Sequence, residues 1–181
     1  MSSLDAIEAL LKDQSALPPI EKWHPELSGD IDIVIAADGR WIHEGGEIKR
    51  PKLVQLFASI LRREADGHYY LVTPVEKWRL KVDDLPLQIV DFELADTPEN
   101  SRLLVKTNVD TWFELGREHP LEVNLDAESG EPRPQVNLIR GLAARVNRSC
   151  FYALVEMGRE EDGRLKLDAG GCSFDLGSLR H

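Results

Sequence analysis

A stripe of apolar residues at helical spacing lies in the first half of the chain, and the rest of the sequence is organised around it. The apolar positions, which form one face at the 3.6-residue period, are Leu53, Leu56, Phe57, Ile60 and Leu61. Pro51 suits the first turn of such a helix, where its missing N–H costs nothing. The pattern predicts a helix that continues until Asp66-Gly67 turns the chain into a strand at Tyr69–Thr73.

Alternating apolar and polar residues predict half-buried strands on both sides of this helix. Ile31, Ile33 and Ile35 share one face of the first strand. Asp38-Gly39 is typical of a hairpin, which leads into a short strand around Trp41. The other predicted strands are Glu76–Val82, Leu87–Leu94, Arg102–Thr107, Thr111–Glu114, Leu121–Leu125, Gln135–Ile139, Arg164–Leu167 and Cys172–Leu176, and 96–100 is a polar link between two of them.

A second long helix is predicted from Gly141 to Met157. Its apolar positions step by three or four residues, and they are Ile139, Leu142, Val146, Cys150, Ala153 and Met157. Near the N-terminus, Ser3–Lys12 reads as a short helix that Leu17-Pro18-Pro19 stops. The segment up to Pro25 is then predicted to be an extended strap, which Ile20 and Trp23 fix to the body of the protein.

The two halves of the sequence repeat one pattern of strand, hairpin, helix and closing strands. Glu64-Ala-Asp-Gly67 corresponds to Glu160-Glu-Asp-Gly163, and the same offset places Trp78 on Phe174. This repetition predicts a structural duplication and an α+β fold of two small domains. The predicted parts are an N-terminal helix and strap at 1–27, a first domain at 28–85 and a second at 86–181, with Asp83-Asp84-Leu85-Pro86 as the boundary.

Composition excludes several classes of protein. The 181 residues include 32 acidic and 22 basic ones, and the formal net charge of -10 argues against bulk binding to nucleic acid or to anionic membranes. Two cysteines give neither a disulfide framework nor a metal motif. Because the sequence has neither a long apolar run nor a secretory signal at its start, it predicts a cytoplasmic protein.

Two stretches reverse the acidic balance of the chain. Ile48–Arg63 carries five basic residues and no acidic one, and Pro132–Val155 carries four arginines and again no acid. Within the second predicted helix, the 3 and 4 spacing places Arg145, Arg148 and Tyr152 on one face. If the two helices face one another, their guanidinium groups converge on an anion. The alternative for each arginine is an ion pair with one of the surplus acids.

The sequence therefore predicts an anion-binding site at the interface of the two domains. Arginine suits phosphate or carboxylate, an aromatic ring can stack on a base, and the Thr73-Pro74-Val75-Glu76 turn presents polar groups nearby. That turn is alternatively a bulged edge between strands. The predicted ligand-binding residues are Arg62, Arg63, Tyr69, Thr73, Glu76, Arg140, Arg145, Arg148 and Tyr152.

No residue pattern in the chain indicates catalysis, a metal or a cofactor. The five histidines lack paired ligand spacing, and the sequence contains no GxSxG, P-loop or GxGxxG motif. We therefore expect a non-catalytic binding protein with a small anionic ligand. The alternatives are a module that docks a protein partner and a hydrolase or transferase whose site has no recognisable signature.

Several motifs resemble those of the bacterial domain of unknown function 1285 family. They are Gly29-Asp-Ile-Asp-Ile33, Gly39-Arg-Trp-Ile-His43, Leu56-Phe57, Ile60-Leu-Arg-Arg63, Tyr70-Leu-Val-Thr-Pro-Val-Glu-Lys77, Gly141-Leu and Ala144-Arg145. The resemblance covers about Pro19 to Leu179. It implies two α+β domains with an internal duplication, of which the C-terminal one is similar to a pleckstrin-homology (PH) fold. It also implies a nucleotide-type ligand at the domain interface and a role in signal transduction.

Overall fold

The computed structural model describes residues 17–96 and 101–179 in two compact units. The first unit ends at Pro86 and also includes Arg140–Leu142. The second comprises Leu87–Ile139 and the described residues from Ala143 onward. The predicted helix at Ser3–Lys12 and most of the polar link at 96–100 lie outside the described residues.

The first unit is one six-stranded sheet with a helix. Its elements are β1 (Leu27–Ile35), β2 (Trp41–His43), β3 (Gly46–Glu47), α1 (Pro51–Ser59), β4 (Leu61–Arg63), β5 (Tyr69–Val72) and β6 (Lys77–Val82), preceded by a 3-10 helix at Ile20–Lys22. The strand order is β3-β2-β1-β6-β5-β4. All neighbouring strands are antiparallel except the central pair β1 and β6, which run parallel.

The predicted alternation of β1 is confirmed from Asp32 to Ile35, since Ile33 and Ile35 are buried while Asp32 is exposed. Ile31 is only partly buried, because it lies in an irregular part of the strand. Trp41 on β2 is also buried, and its ring stacks on Phe57 of α1 with the centroids 6.1 Å apart. Burying each such side chain contributes about 1.5–3 kcal/mol. The helix therefore covers the apolar face of the sheet. Ile20 of the strap is buried as the sequence predicts, but the strap is not extended throughout, because Ile20–Lys22 forms a 3-10 helix.

The prediction for the end of the first helix is wrong. Helix α1 begins at Pro51, as predicted, but it ends at Ser59, and Leu61–Arg63 is strand β4. Leu61 fits the apolar period of a helix and fits the buried face of a strand equally well. In the structure it is buried on strand β4 and pairs with Leu71. Consequently Arg62 and Arg63 project from a strand and not from a helix.

The second unit contains two sheets and one helix. Its elements are β7 (Leu87–Asp96), β8 (Ser101–Thr107), β9 (Trp112–Glu114), β10 (Leu121–Leu125), β11 (Pro132–Asn137), β12 (Ala143–Val146), α2 (Arg148–Glu156), β13 (Arg159–Glu161), β14 (Arg164–Ala169) and β15 (Cys172–Ser178). The larger sheet has the order β10-β11-β12-β7-β8-β9, and the smaller one is β13-β14-β15. Helix α2 contacts β7 and β14, and β15 contacts β10.

The predicted second long helix is also wrong in its first half. Ala143–Val146 forms β12, which pairs with β11 on one side and, in parallel, with β7 on the other. The helix starts only after Asn147, whose side chain caps it by accepting a hydrogen bond from the N–H of Cys150. Arg145 therefore lies on a strand, and the predicted shared helical face with Arg148 and Tyr152 does not exist.

The two halves repeat one order of elements: three strands, a helix and three more strands. This order describes β1 to β6 with α1 and again β10 to β15 with α2. The register repeats as well, since the pairs Leu71↔Trp78 and Tyr70↔Arg79 correspond to Leu167↔Phe174 and Lys166↔Asp175. The similarity fits an internal duplication in an α+β protein. The halves differ because β6 joins the sheet of β1, whereas β15 stays in a separate sheet.

Candidate functional site

A cavity of about 380 Å³ opens on the first unit where β1, β5 and β6 come together. Its lining comprises Asp30, Ile31, Gly67, His68, Tyr69, Arg79, Leu80, Lys81 and Val82. Ligand sites of roughly 300–1,000 Å³ are usual for small molecules, so the cavity is large enough for one.

The cavity lies at an irregularity in the central parallel pair of strands. Asp30 pairs with Arg79 and Val34 pairs with Lys81, so three residues of β1 stand opposite one residue of β6. Bulges of this kind redirect side chains and interrupt the ladder of hydrogen bonds. Here the bulge separates Ile31 from its ordinary position beside Leu80, and both residues line the cavity.

Cationic groups dominate the polar lining of the cavity. Among the described residues, Lys81 makes no ion pair and the His68 side chain makes no direct hydrogen bond. Arg79 donates from Nε to Oδ1 of Asp30 at 2.6 Å. That hydrogen bond lowers the pKa of Asp30, and the charges of Arg79 and His68 act in the same direction. The arrangement offers donors to an anion beside one ionised carboxylate.

Tyr69 is the one predicted ligand residue that lines the cavity. It pairs with Leu80, so its side chain projects from the face of the sheet opposite to Arg79 and Lys81. Partial burial raises the pKa of the Tyr69 hydroxyl, so the ring is neutral at physiological pH. The guanidinium of Arg63 lies 5.7 Å from the centroid of the ring and also donates to the carbonyl of Gly67 at 3.4 Å. Arg63 is thus next to the cavity without lining it.

Arg62 is used to hold the N-terminal strap. Its Nη1 donates to the carbonyl oxygens of Ile20 at 2.7 Å and Trp23 at 3.0 Å, and its Nη2 donates to Glu64 at 2.6 Å. Glu64 also accepts from Lys77 at 2.9 Å. Since these contacts occupy most of the guanidinium, Arg62 serves the packing of the first unit.

Arg140 also holds the N-terminal strap against the first unit. Its guanidinium donates to Glu21 at 2.6 Å, to the carbonyl of Ser59 at 2.7 Å and to the carbonyl of Pro18 at 2.6 Å. The side chain is only 5% exposed. Ser59 is the last residue of α1, so Arg140 satisfies a carbonyl that the helix itself leaves unpaired.

The remaining predicted residues lie elsewhere. Thr73 Oγ1 accepts from the N–H of Glu76 at 3.0 Å, which makes their turn a local hydrogen-bonded one outside the cavity lining. Arg145, Arg148 and Tyr152 belong to the second unit, where Arg145 donates to the carbonyl of Pro134 at 3.2 Å. The last two project from α2, and Tyr152 is 57% exposed.

Sequence reasoning missed four polar residues of the cavity: Asp30, His68, Arg79 and Lys81. Arg79 and Lys81 alternate along β6, and this alternation was the one signal available in the sequence. Asp30 reaches Arg79 through parallel pairing across 49 residues. The residues around Asp30 and Arg79 in the sequence do not predict a contact between strands that are so far apart in the chain.

Within residues 17–96 and 101–179, no group of three or more His, Cys, Asp or Glu side chains has the arrangement of a metal site. Burial raises the pKa of the Cys150 thiol to about 11, so this cysteine is a thiol and a poor nucleophile at neutral pH. The described helices are too short or too polar for one of them to cross a membrane.

The Glu64 network predicts a loss of stability in acid. Burial alone raises the pKa of Glu64, but hydrogen bonds from Lys77 and Arg62 outweigh it and bring the pKa below its ordinary value. A lowered folded-state pKa stabilises the protein above the unfolded-state pKa, and the contribution is lost as pH falls through the folded-state pKa. Glu64→Gln should cost about 1–3 kcal/mol at pH 7 and much less near pH 3.

Urea unfolding of the wild type and of this variant across that pH range measures the difference. Glu26→Gln is the control, since Glu26 is exposed and has no partner within the described segments. A Glu64→Gln effect that is the same at both pH values would contradict the assignment.

The fold and the cavity together define an α+β protein of two units whose halves repeat one order of elements. The family model "Domain of unknown function (DUF1285), N-terminal domain" matches residues 18–85. "Protein of unknown function (DUF1285), C-terminal domain" matches residues 86–176. The chain belongs to the DUF1285 family, as its motifs predict.

Solved structures agree with this membership. A DUF1285 family protein from Silicibacter pomeroyi DSS-3 is 38% identical, with a TM-score of 0.84 and coverage of 99% of this chain and 97% of that one. A DUF1285 family protein from Shewanella baltica OS155 is 36% identical, with a TM-score of 0.55 and coverage of 70% and 91%, respectively. No curated protein matches the chain.

Proposed function

We propose that this chain is a non-catalytic binding protein that holds a small anionic, nucleotide-like ligand in the cavity between β1, β5 and β6 and acts in signal transduction. The observation that carries the proposal is the cavity itself, which Lys81, His68 and Arg79 line. The ligand class is the one predicted from the sequence. The predicted crevice between the halves and its arginine set stay predictions.

Each wall of the cavity suits one part of such a ligand. An ammonium and a guanidinium bind phosphate oxygens through charge-assisted hydrogen bonds. Leu80 and Val82 supply apolar lining, which small-molecule sites combine with a few polar groups.

The repeated half provides an internal comparison for this charge. The pair Tyr70↔Arg79 of the first half corresponds to Lys166↔Asp175 of the second, so an acidic residue occupies the position of Arg79. The shared scaffold therefore does not require a cation there. The excess of acidic residues also falls mostly on the second unit, which supports the first unit as the place where an anion binds.

Ribonucleoside monophosphates and other phosphorylated metabolites should raise the melting temperature of the protein. A ligand at about 100 times its dissociation constant adds about 2.7 kcal/mol. For a chain of this size, that corresponds to a rise of roughly 5–10 °C. Differential scanning fluorimetry against a panel of such compounds measures it, and a panel without any shift would contradict the proposal.

Lys81→Ala in the same assay tests whether the ligand binds in the cavity. Losing one charged hydrogen bond of about 1.5–3 kcal/mol should weaken binding roughly tenfold to a hundredfold. Lys49→Ala removes the same charge from the basic run before α1, where Lys49 is exposed and lines no part of the cavity, and it should leave affinity unchanged. Equal losses in the two variants would indicate diffuse attraction and not a site.

The likeness of the C-terminal half to a PH fold and the docking of a protein partner stay predictions. Exposed Arg148 and Tyr152 on α2 support the docking alternative, because arginine and tyrosine are frequent anchors of protein interfaces. The panel above separates the two functions. Docking becomes the better proposal if no small anion stabilises the protein.

A further inference from the structure

We infer that the cavity selects anions that also carry hydroxyl donors, and that Asp30 is the residue that selects them. The inference rests on the proposed function and narrows its ligand to a ribonucleoside monophosphate or a compound of the same donor pattern. The observation behind it is a carboxylate that lines the same cavity as Lys81 and Arg79.

Asp30 is ionised under all physiological conditions. It accepts a 2.6 Å hydrogen bond from Nε of Arg79, and its side chain is 67% exposed toward solvent and the cavity. An ionised carboxylate has several lone pairs and no donor. One bond from Arg79 leaves it able to accept more, and its second oxygen has no protein donor among the described residues.

The carboxylate makes the cavity unfavourable for a bare anion. A phosphate bound by Lys81 lies in the same cavity as the negative charge of Asp30, which Arg79 offsets only in part because one carboxylate oxygen accepts no bond from the described residues, and like charges repel. A ligand avoids this cost if it turns its phosphate to Lys81 and presents a neutral donor to Asp30. A ribose diol is such a donor, and carboxylates bind ribose hydroxyls in this way in other nucleotide sites.

The size of the cavity agrees with this ligand. About 380 Å³ lies within the range that is usual for small-molecule sites, and a mononucleotide is a small molecule. Asp30 and Lys81 both line the cavity, so a ribose at the carboxylate and a phosphate at the ammonium are compatible with one ligand.

The test compares two ligand sets on two variants by isothermal titration calorimetry. One set is the four common ribonucleoside 5′-monophosphates, and the other is the four 2′,3′-dideoxyribonucleoside 5′-monophosphates, which lack both hydroxyls. Because both sets carry the same phosphate, the repulsion by Asp30 cancels in the ratio of their affinities. We expect the wild type to prefer the ribonucleotide about tenfold for at least one base, which is the difference between a charged hydrogen bond and none.

Asp30→Asn should lower this ratio well below tenfold, because the asparagine oxygen accepts only a neutral hydrogen bond. Inorganic phosphate should bind to this variant more tightly than to the wild type. Asp32→Asn is the matched control, because Asp32 is exposed on the same strand and does not line the cavity. It should keep the tenfold ratio.

The outcomes separate the inference from the proposed function. If the wild type binds both sets equally, or if Asp30→Asn keeps the tenfold ratio, the role of Asp30 is overturned while the anion site stands. If neither nucleotides nor inorganic phosphate bind the wild type, the proposed function fails and the inference fails with it.

Discussion

Replacing Arg140 with alanine should destabilise the first unit by about 3 kcal/mol, because the change breaks a largely buried set of charged hydrogen bonds. The side chain is 5% exposed and donates to Glu21, Ser59 and Pro18. Without it, two backbone carbonyls lose their donor, and the strap loses its attachment near the end of α1. At about 2–4 °C per kcal/mol, the melting temperature should fall by roughly 6–12 °C.

The measurement can be confined to the unit concerned. Of the four tryptophans, only Trp112 belongs to the second unit, so Trp112→Phe makes fluorescence report the first unit alone. Arg50→Ala is the control, since Arg50 is exposed in the same unit and its side chain has no hydrogen bond or ion pair among the described residues. It should change stability by less than about 0.5 kcal/mol. Equal effects of the two alanine variants would refute the structural role of Arg140.

The left-handed backbone of Arg140 does not complicate this comparison. Its φ is +60°, which is unfavourable for any residue with a Cβ, and alanine bears the same strain as arginine. Arg140→Lys adds a further arm, because lysine keeps the charge but cannot reach three acceptors at once. It should recover only part of the lost stability.

The sequence predicts the strands better than the helices. The alternation of a strand ends with the strand, whereas each helical apolar pattern continues into the neighbouring strand. Leu121–Leu125 alternates within one element and was predicted with its observed bounds. Leu61 and Val146 fit a helical period and a strand face equally well, and both helices were predicted too long. Leu61 lies in a strand because it pairs with β5, and Val146 lies in a strand because it pairs with β7. The pairing partners are distant in the sequence, so the residues next to Leu61 and Val146 do not reveal them.

The candidate site shows the same division between local and distant information. Tyr69, which lines the cavity, is predicted from its residue type alone, because an aromatic ring can stack on a base. Asp30 and Arg79 were missed as a pair, since the parallel alignment of β1 with β6 depends on the whole sheet. Arg62 and Arg140 were expected to bind a ligand because their stretches lack acids. In the structure each donates to one carboxylate, Glu64 or Glu21, and the two together donate to four backbone carbonyls, three of which lie in the strap and are not revealed by charge patterns.

The hairpin between β14 and β15 should be the most sensitive turn of the second unit. Gly170 and Gly171 join the paired residues Ala169 and Cys172, with φ values of +58° and +76° as a type I′ turn requires. A Cβ at Gly170 would overlap the backbone carbonyl oxygen of Leu115, a residue that is fully buried. A Cβ at Gly171 would meet nothing within 4 Å.

Alanine variants of the two glycines therefore distinguish the cost of the left-handed backbone from the cost of steric overlap with Leu115. Both alanine variants bear the left-handed strain of about 1–2 kcal/mol, and Gly170→Ala adds about 1–3 kcal/mol because a backbone atom cannot move aside as a flexible side chain can. Gly170→Ala should lower the melting temperature by roughly 6–12 °C and Gly171→Ala by about half as much. Scanning calorimetry of the two variants beside the wild type measures both. Similar losses would mean that the turn can shift away from Leu115, and that the close approach seen there is not a constraint on the fold.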